Sequence, residues 1–134
     1  MRILLDTHTM LWAIADDIRL TQKARKLILD ESNTIYYSAA SIWEICIKHG
    51  KSPEKLPFTG DAVCKFCDAA GFLHLPVKAE HAIGSSSLRI KEGATTNSDP
   101  FDRILIAQAK TEDMLFLTHD TIMQYYDEPC IVTY

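Results

Sequence analysis

Four acidic residues stand where folding alone gives little reason for a carboxylate. Asp6 closes the apolar run Ile3-Leu4-Leu5, and Glu44 interrupts Ile42-Trp43-Glu44-Ile45. Asp102 leads into Ile104-Leu105-Ile106-Ala107, and Asp120 follows Leu115-Phe116-Leu117-Thr118-His119. A carboxylate at the edge of buried apolar structure is costly unless its charge is compensated. Four of them brought together would repel one another unless a cation sat among them, and all-oxygen donor sets suit magnesium or manganese. The pattern points to a hydrolytic metal site. Local explanations compete at three of the four positions. Glu44 has capping-box spacing from Ser41, Asp102 falls in a first helical turn where the dipole favours an acid, and Asp120 can cap a short helix. Asp99, just before Pro100, reads better as an N-cap than as a ligand. Asp6 has no local explanation.

The elements that would position these acids follow from hydrophobic period and from capping signals. Arg2 to Leu5 reads as a buried strand, followed by a helix over about 7–15 with Met10, Leu11 and Ile14 inward, broken at Asp16-Asp17. Thr21 caps a helix through about Asp30, and 34–37 is a short strand. Ser41 heads a helix that stops near Gly50, and a loop runs from there to Pro57. A helix over 59–70 stops at Gly71 and is followed by a strand at 72–75 and a polar helix at 78–85. The segments 85–87 and 91–98 are expected to be the least structured. Pro100 sits at the first position of a helix to Thr111. A strand at 114–117, a short helix at 121–126 and a strand at 130–133 complete the chain. Strands alternating with helices imply right-handed crossovers and an α/β fold: three layers, α/β/α, with a central parallel sheet. Such sheets bind ligands beyond the carboxyl ends of their strands, and Asp6 and Asp120 fall at two such ends.

The 134 residues are expected to form one domain, 1–134, with 47% hydrophobic and 24% charged side chains. No apolar run approaches the roughly 20 residues that cross a bilayer. The apolar run at residue 3 meets Asp6 at once and cannot serve as the core of a signal peptide, so a cytoplasmic location without membrane association is expected. The net charge of −4 argues mildly against holding nucleic acid by charge alone. The charge is uneven: residues 1–60 carry 8 basic and 7 acidic side chains, residues 61–134 carry 6 and 11. Cys64 and Cys67 have CxxC spacing, but no second pair exists. Val63, Phe66, Cys67 and Ala70 share one helical stripe, which favours buried thiols over zinc or redox chemistry. His8, His49, His74, His81 and His119 have no common ligand spacing and read as surface or locally hydrogen-bonded. Trp12 and Trp43 read as core or interface residues.

Leu5-Asp6-Thr7-His8 with Leu11-Trp12, Ser38-Ala39-Ala40-Ser41-Ile42-Trp43-Glu44-Ile45, Asp99-Pro100-Phe101-Asp102-Arg103 with Ala107-Gln108-Ala109, and Leu117-Thr118-His119-Asp120 together resemble the PIN-domain proteins, most nearly the VapC-type toxins of bacterial toxin–antitoxin pairs. The resemblance spans residues 4–120. It implies a Mg2+- or Mn2+-dependent endoribonuclease whose catalytic, metal-binding quartet is Asp6, Glu44, Asp102 and Asp120. Thr7, Asp99, Arg103 and Thr118 would support the ligands from behind. Two positions depart from the family: Ser98 stands where a basic residue is common, and His119 where arginine is common. Both departures remove positive charge from the expected RNA path. The resemblance also implies a homodimer and a cognate antitoxin protein, whose Arg or Lys would reach the acidic cleft.

Other α/β enzymes fit less well. A haloacid-dehalogenase-type phosphotransferase needs a second acid two residues after the first, where this chain has His8. A response-regulator receiver needs an acidic pair after the first strand and a lysine after a late one, and both are missing. The non-enzymatic alternative is a PIN-fold module that binds RNA or protein without cleavage.

Overall fold

The computed structural model describes residues 1–94 and 99–134, and the reading of Ser98 falls outside them. Five strands form one all-parallel sheet: β1 (Arg2–Leu5), β2 (Thr34–Ser38), β3 (Leu73–Leu75), β4 (Leu115–Thr118) and β5 (Ile131–Thr133), in the spatial order β3-β2-β1-β4-β5. The helices are α1 (Thr7–Ala15), α2 (Gln22–Leu29), α3 (Ala39–Lys51), α4 (Gly60–Ala69), α5 (Ala79–Gly84) and α6 (Pro100–Thr111).

Side-chain alternation in the strands splits the apolar residues between two faces. Ile3, Leu5, Ile35, Tyr37 and Leu117 join Met10, Ala24, Val63 and Cys67 from α1, α2 and α4 on one side. Leu4 and Phe116 meet Leu105, Ile106 and Ala109 of α6 on the other. Because both faces are covered, the strands read as apolar runs, as parallel sheets require. This is the three-layer α/β/α fold. The chain runs one way from β1 through β2 to β3, and the other way through β4 to β5. The strand order therefore reverses at β1, beside β4, and in open α/β sheets a ligand crevice forms at such a reversal.

Most boundaries follow the sequence signals, and the differences have local causes. Helix α3 begins at Ala39, because Ser38 and not Ser41 is its N-cap, with the Ser38 hydroxyl accepting from the Ala40 amide at 3.0 Å. The Ser41–Glu44 capping box is therefore not formed. The helix also runs through Gly50 to Lys51, with the Ser52 amide donating to the Lys48 carbonyl at 2.9 Å. A glycine in the last turn costs only about 1 kcal/mol, too little to end a helix that packs well. Residues Ser85–Ser87, expected as loop, form a 3-10 turn, each hydroxyl bonding the carbonyl three residues back. The segment after β4 is likewise a 3-10 turn, Thr121–Tyr125. On the α4 stripe, Val63 and Cys67 are buried but Phe66 is 52% exposed. Cys64 and Cys67 are free thiols, and burial pushes the Cys67 thiol up to about 12. Trp43 is no core residue, being 63% exposed.

Of the two readings open to the histidines, surface or locally hydrogen-bonded, His81 takes the second, and it is fully buried. Its Nδ1 accepts from the Lys78 amide at 3.0 Å, and its Nε2 lies 2.8 Å from Glu112 Oε1. The ring thus ties the start of α5 to the end of α6. His81→Ala would leave the Lys78 amide unpaired and remove an accepted proton from Glu112. We expect a loss on the order of 1–3 kcal/mol, the usual cost of orphaning buried polar groups. Urea denaturation at pH 7 of the wild type and the variant checks it.

Candidate active site

Two threonines assemble the crevice. Asp6 caps α1 directly after β1, its Oδ1 accepting from the Thr7 amide at 2.8 Å. Its backbone amide donates to the Leu117 carbonyl of β4 at 3.0 Å, which locks the end of β1 to its neighbour. The Thr118 hydroxyl then donates to Asp6 Oδ2 at 2.7 Å and accepts from the Asp120 amide at 3.1 Å. On the other flank, the Thr7 hydroxyl donates to Glu44 Oε1 at 2.8 Å and shares a hydrogen bond with Ser41 Oγ at 2.9 Å. One continuous set of contacts therefore runs from Asp120 through Thr118, Asp6 and Thr7 to Glu44, joining the ends of β1 and β4 to α3.

Asp6 and Glu44 are both buried. Burial raises the Asp6 carboxyl above the ordinary 3.8; hydrogen bonds from Thr118 and Thr7 and the nearby His8 oppose this, and the Glu44 charge adds to it. Asp6 is thus a carboxylate short of positive charge. Glu44 has an internal counter-ion, Lys48, whose Nζ lies 2.5 Å from Oε2 one turn along α3. Asp120 is half-buried and caps the 3-10 turn, its Oδ1 accepting from the Ile122 amide at 3.0 Å. Its capping role and its place in the crevice coexist.

Asp102 is half-buried in the first turn of α6. Asp99 caps that turn, its Oδ1 accepting from the Phe101 and Asp102 amides at 2.8 and 3.4 Å, and so orients Asp102 through the backbone. A T-shaped contact between Trp43 and Phe101, centroids 5.3 Å apart, sets the start of α6 against α3 next to Glu44. Arg103 points elsewhere, donating to the Ser85 carbonyl at 2.5 Å and lying 5.9 Å from the Tyr126 ring centroid. It fastens α6 to the 3-10 turn. His119 is exposed, its Nδ1 2.7 Å from the Tyr134 carbonyl and its ring edge-on to Trp12.

The tightest group of potential ligands among the described residues lies elsewhere: Glu80, His81 and Glu112, with ligand atoms within 4.8 Å of one another. Both His81 nitrogens already have partners there. The four acids are more widely spread. Their donors are all oxygen, and each Asp6 oxygen takes one described hydrogen bond where a carboxylate oxygen offers two lone pairs. That chemistry fits a hard divalent cation.

Sequence reading missed two contributors. Lys48 was detectable, since it stands four residues after Glu44 on a helix. Tyr134 was not: its hydroxyl lies 2.8 Å from Thr9 Oγ1, and its pKa is raised mainly by burial, with the Asp6 charge adding.

Residues 3–129 match the PIN domain family. No curated protein matches the chain. Among solved structures, the VapBC2 complex from Rickettsia felis, bound to a DNA fragment from its promoter, is similar over 100% of this chain and 98% of the compared one, with a TM-score of 0.69 at 17% identity. At that identity the likeness speaks to the fold alone.

The raised Asp6 carboxyl has a pH signature. A carboxyl whose folded pKa exceeds its unfolded value costs stability when ionised, and that cost disappears as the pH falls below the unfolded value. In chelator, Asp6→Asn should therefore gain in melting temperature relative to wild type at pH 7. The gain should shrink as the pH falls towards 3.8. Parallel melts across that range check the sign.

Proposed function

The chain belongs to the PIN-domain family, and from that premise we propose that it is a divalent-metal-dependent endoribonuclease, the toxin of a toxin–antitoxin pair. The observation that carries this reading is the buried Asp6 carboxylate, under-compensated and tied through Thr7 and Thr118 to Glu44 and Asp120. Asp6, Glu44, Asp102 and Asp120 would hold Mg2+ or Mn2+. A bound divalent ion would acidify water and draw charge from the phosphodiester.

The chain's own residues do the positioning. Thr118 and the Thr7 amide fix both oxygens of Asp6, so its free lone pairs face a set direction. Thr7 does the same for one oxygen of Glu44, while Lys48 holds the other and offsets its charge. Asp99 holds the first turn of α6 and with it the height of Asp102. No side chain has to serve as a covalent nucleophile and the RNA 2′-hydroxyl need not take part, so the expected products carry a 5′-phosphate and a 3′-hydroxyl.

Partners follow from the same reading. An antitoxin segment would present Arg or Lys to the acids, since a planar guanidinium suits paired carboxylates. A second copy of the chain would cover the apolar groove that includes Trp43, Val77 and Phe101. The cell compartment in which RNA is reached is proposed to be the cytoplasm.

Purified protein incubated with RNA and Mg2+ or Mn2+ should release fragments with those ends. Asp6→Asn and Asp102→Asn should each lower the rate at least about a hundredfold, as loss of a group that stabilises transition-state charge does, while circular dichroism stays unchanged. Full-rate cleavage by either variant, or no cleavage by wild type with either metal, would sink the proposal in favour of a binding module.

A further inference from the structure

Next to the acids lies a cleft of about 550 Å³ between α1, the end of α3 and the turn after it. Thr7 lines this cleft and also holds Glu44, so the cleft opens directly from the site. Its rim carries Lys48, Lys51 and Lys55, and its apolar wall includes Leu11, Trp12 and Phe58. The three lysines are a local excess of cations in a chain of net charge −4. Lys51 and Lys55 form no ion pair among the described residues.

Helix physics accounts for part of this. Lys48 and Lys51 lie in the last turn of α3, where cations complement the dipole. Lys55 lies beyond the helix, where the dipole explains nothing. Its position is fixed: its amide donates to the Ser52 carbonyl at 3.0 Å, and the next carbonyl, Leu56, is held by His49 Nδ1 at 2.7 Å. Phe58 presents a 38% exposed ring on the same wall.

Spaced cations beside aromatic rings suit a polyanion whose bases are free to stack, which is single-stranded nucleic acid. Resting on the nuclease reading, we propose that this cleft binds the single-stranded RNA flanking the scissile phosphate, with Lys51 and Lys55 on the backbone and Phe58 under a base. The cationic rim would guide the strand past a site whose own acids repel it. Lys48 stands where rim and site meet.

The test is fluorescence anisotropy of a labelled ten-nucleotide oligouridine RNA with the full chain in chelator, across a salt series. Binding read this way does not depend on cleavage. Wild type should bind with a salt-dependent affinity. Lys51→Ala/Lys55→Ala should reduce the slope of log K against log salt by about 1.4, since each single-strand phosphate contact contributes about 0.7. Lys51→Arg/Lys55→Arg should keep the slope. Phe58→Ala should weaken binding about fivefold or more with the slope unchanged, the effect of losing one stacked base. All the variants alter exposed side chains, and matching melting curves confirm their folding. Equal affinity and slope in the wild type and the alanine variants would overturn the proposal. So would absence of RNA binding while an acidic amphipathic peptide binds in a manner that depends on Lys51 and Lys55, which would make the cleft a protein-docking site. Cleft binding without cleavage would count against the nuclease reading alone. Cleavage with unchanged variant binding would count against the cleft alone.

Discussion

The arrangement of the crevice depends on holding the Asp6 carboxylate inside the protein. It is placed there by β1, the central strand at which strand order reverses, and its burial raises its pKa. The fold supplies two donors to it, the Thr7 amide and the Thr118 hydroxyl, and each threonine reaches on to a further acidic residue. Remove either threonine and an acid loses its orientation as well as a hydrogen bond. The constraint is electrostatic, and the hydrogen bonds give it direction.

That constraint explains why the neighbouring charges sit as they do. Glu44 adds to the cost of ionising Asp6, and Lys48 takes up part of the Glu44 charge from the solvent side. Lys48 is half-exposed while Glu44 is buried, and removing the partner of a buried carboxylate leaves its charge uncompensated. Beyond Lys48 the cleft carries Lys51 and Lys55, so the side-chain charge changes sign from Glu44 along the end of α3 and the turn after it. On the proposed reading an anionic strand would be drawn to the cleft and a divalent cation to the acids.

The fold was legible because its signals are local and agree with one another. Thr21, Asp99 with Pro100, and Gly71 with its φ of +83° each mark a boundary through chemistry that one residue carries. The three-residue span of β5 and the precise ends of the strands depend on pairing with neighbours, which no short window contains. Glu44 shows how a local rule can mislead: the spacing Ser41-x-x-Glu44 satisfies a capping box, yet Ser38 caps the helix and both residues turn to Thr7, 34 and 37 positions away. The local hydrogen bond of His81 to Lys78 was within reach of the sequence, but its burial and its second partner Glu112, 31 residues distant, were not. Asp6 read in the sequence as an acid with no local role, and the structure corrects this, since it is also the N-cap of α1. Lys48 was readable too, from its spacing alone, but only the structure shows that Glu44 is buried and that the pair matters.

The central claim is that burial and under-compensation of Asp6 create an affinity for a hard divalent cation. Calorimetric titration of Mn2+ into the metal-free chain measures this without reference to any substrate. The account predicts saturable binding by the wild type, abolished in Asp6→Asn and weakened in Thr118→Val, which keeps the carboxylate but releases its orientation. Binding of equal affinity in all three proteins, or none in the wild type, would contradict it.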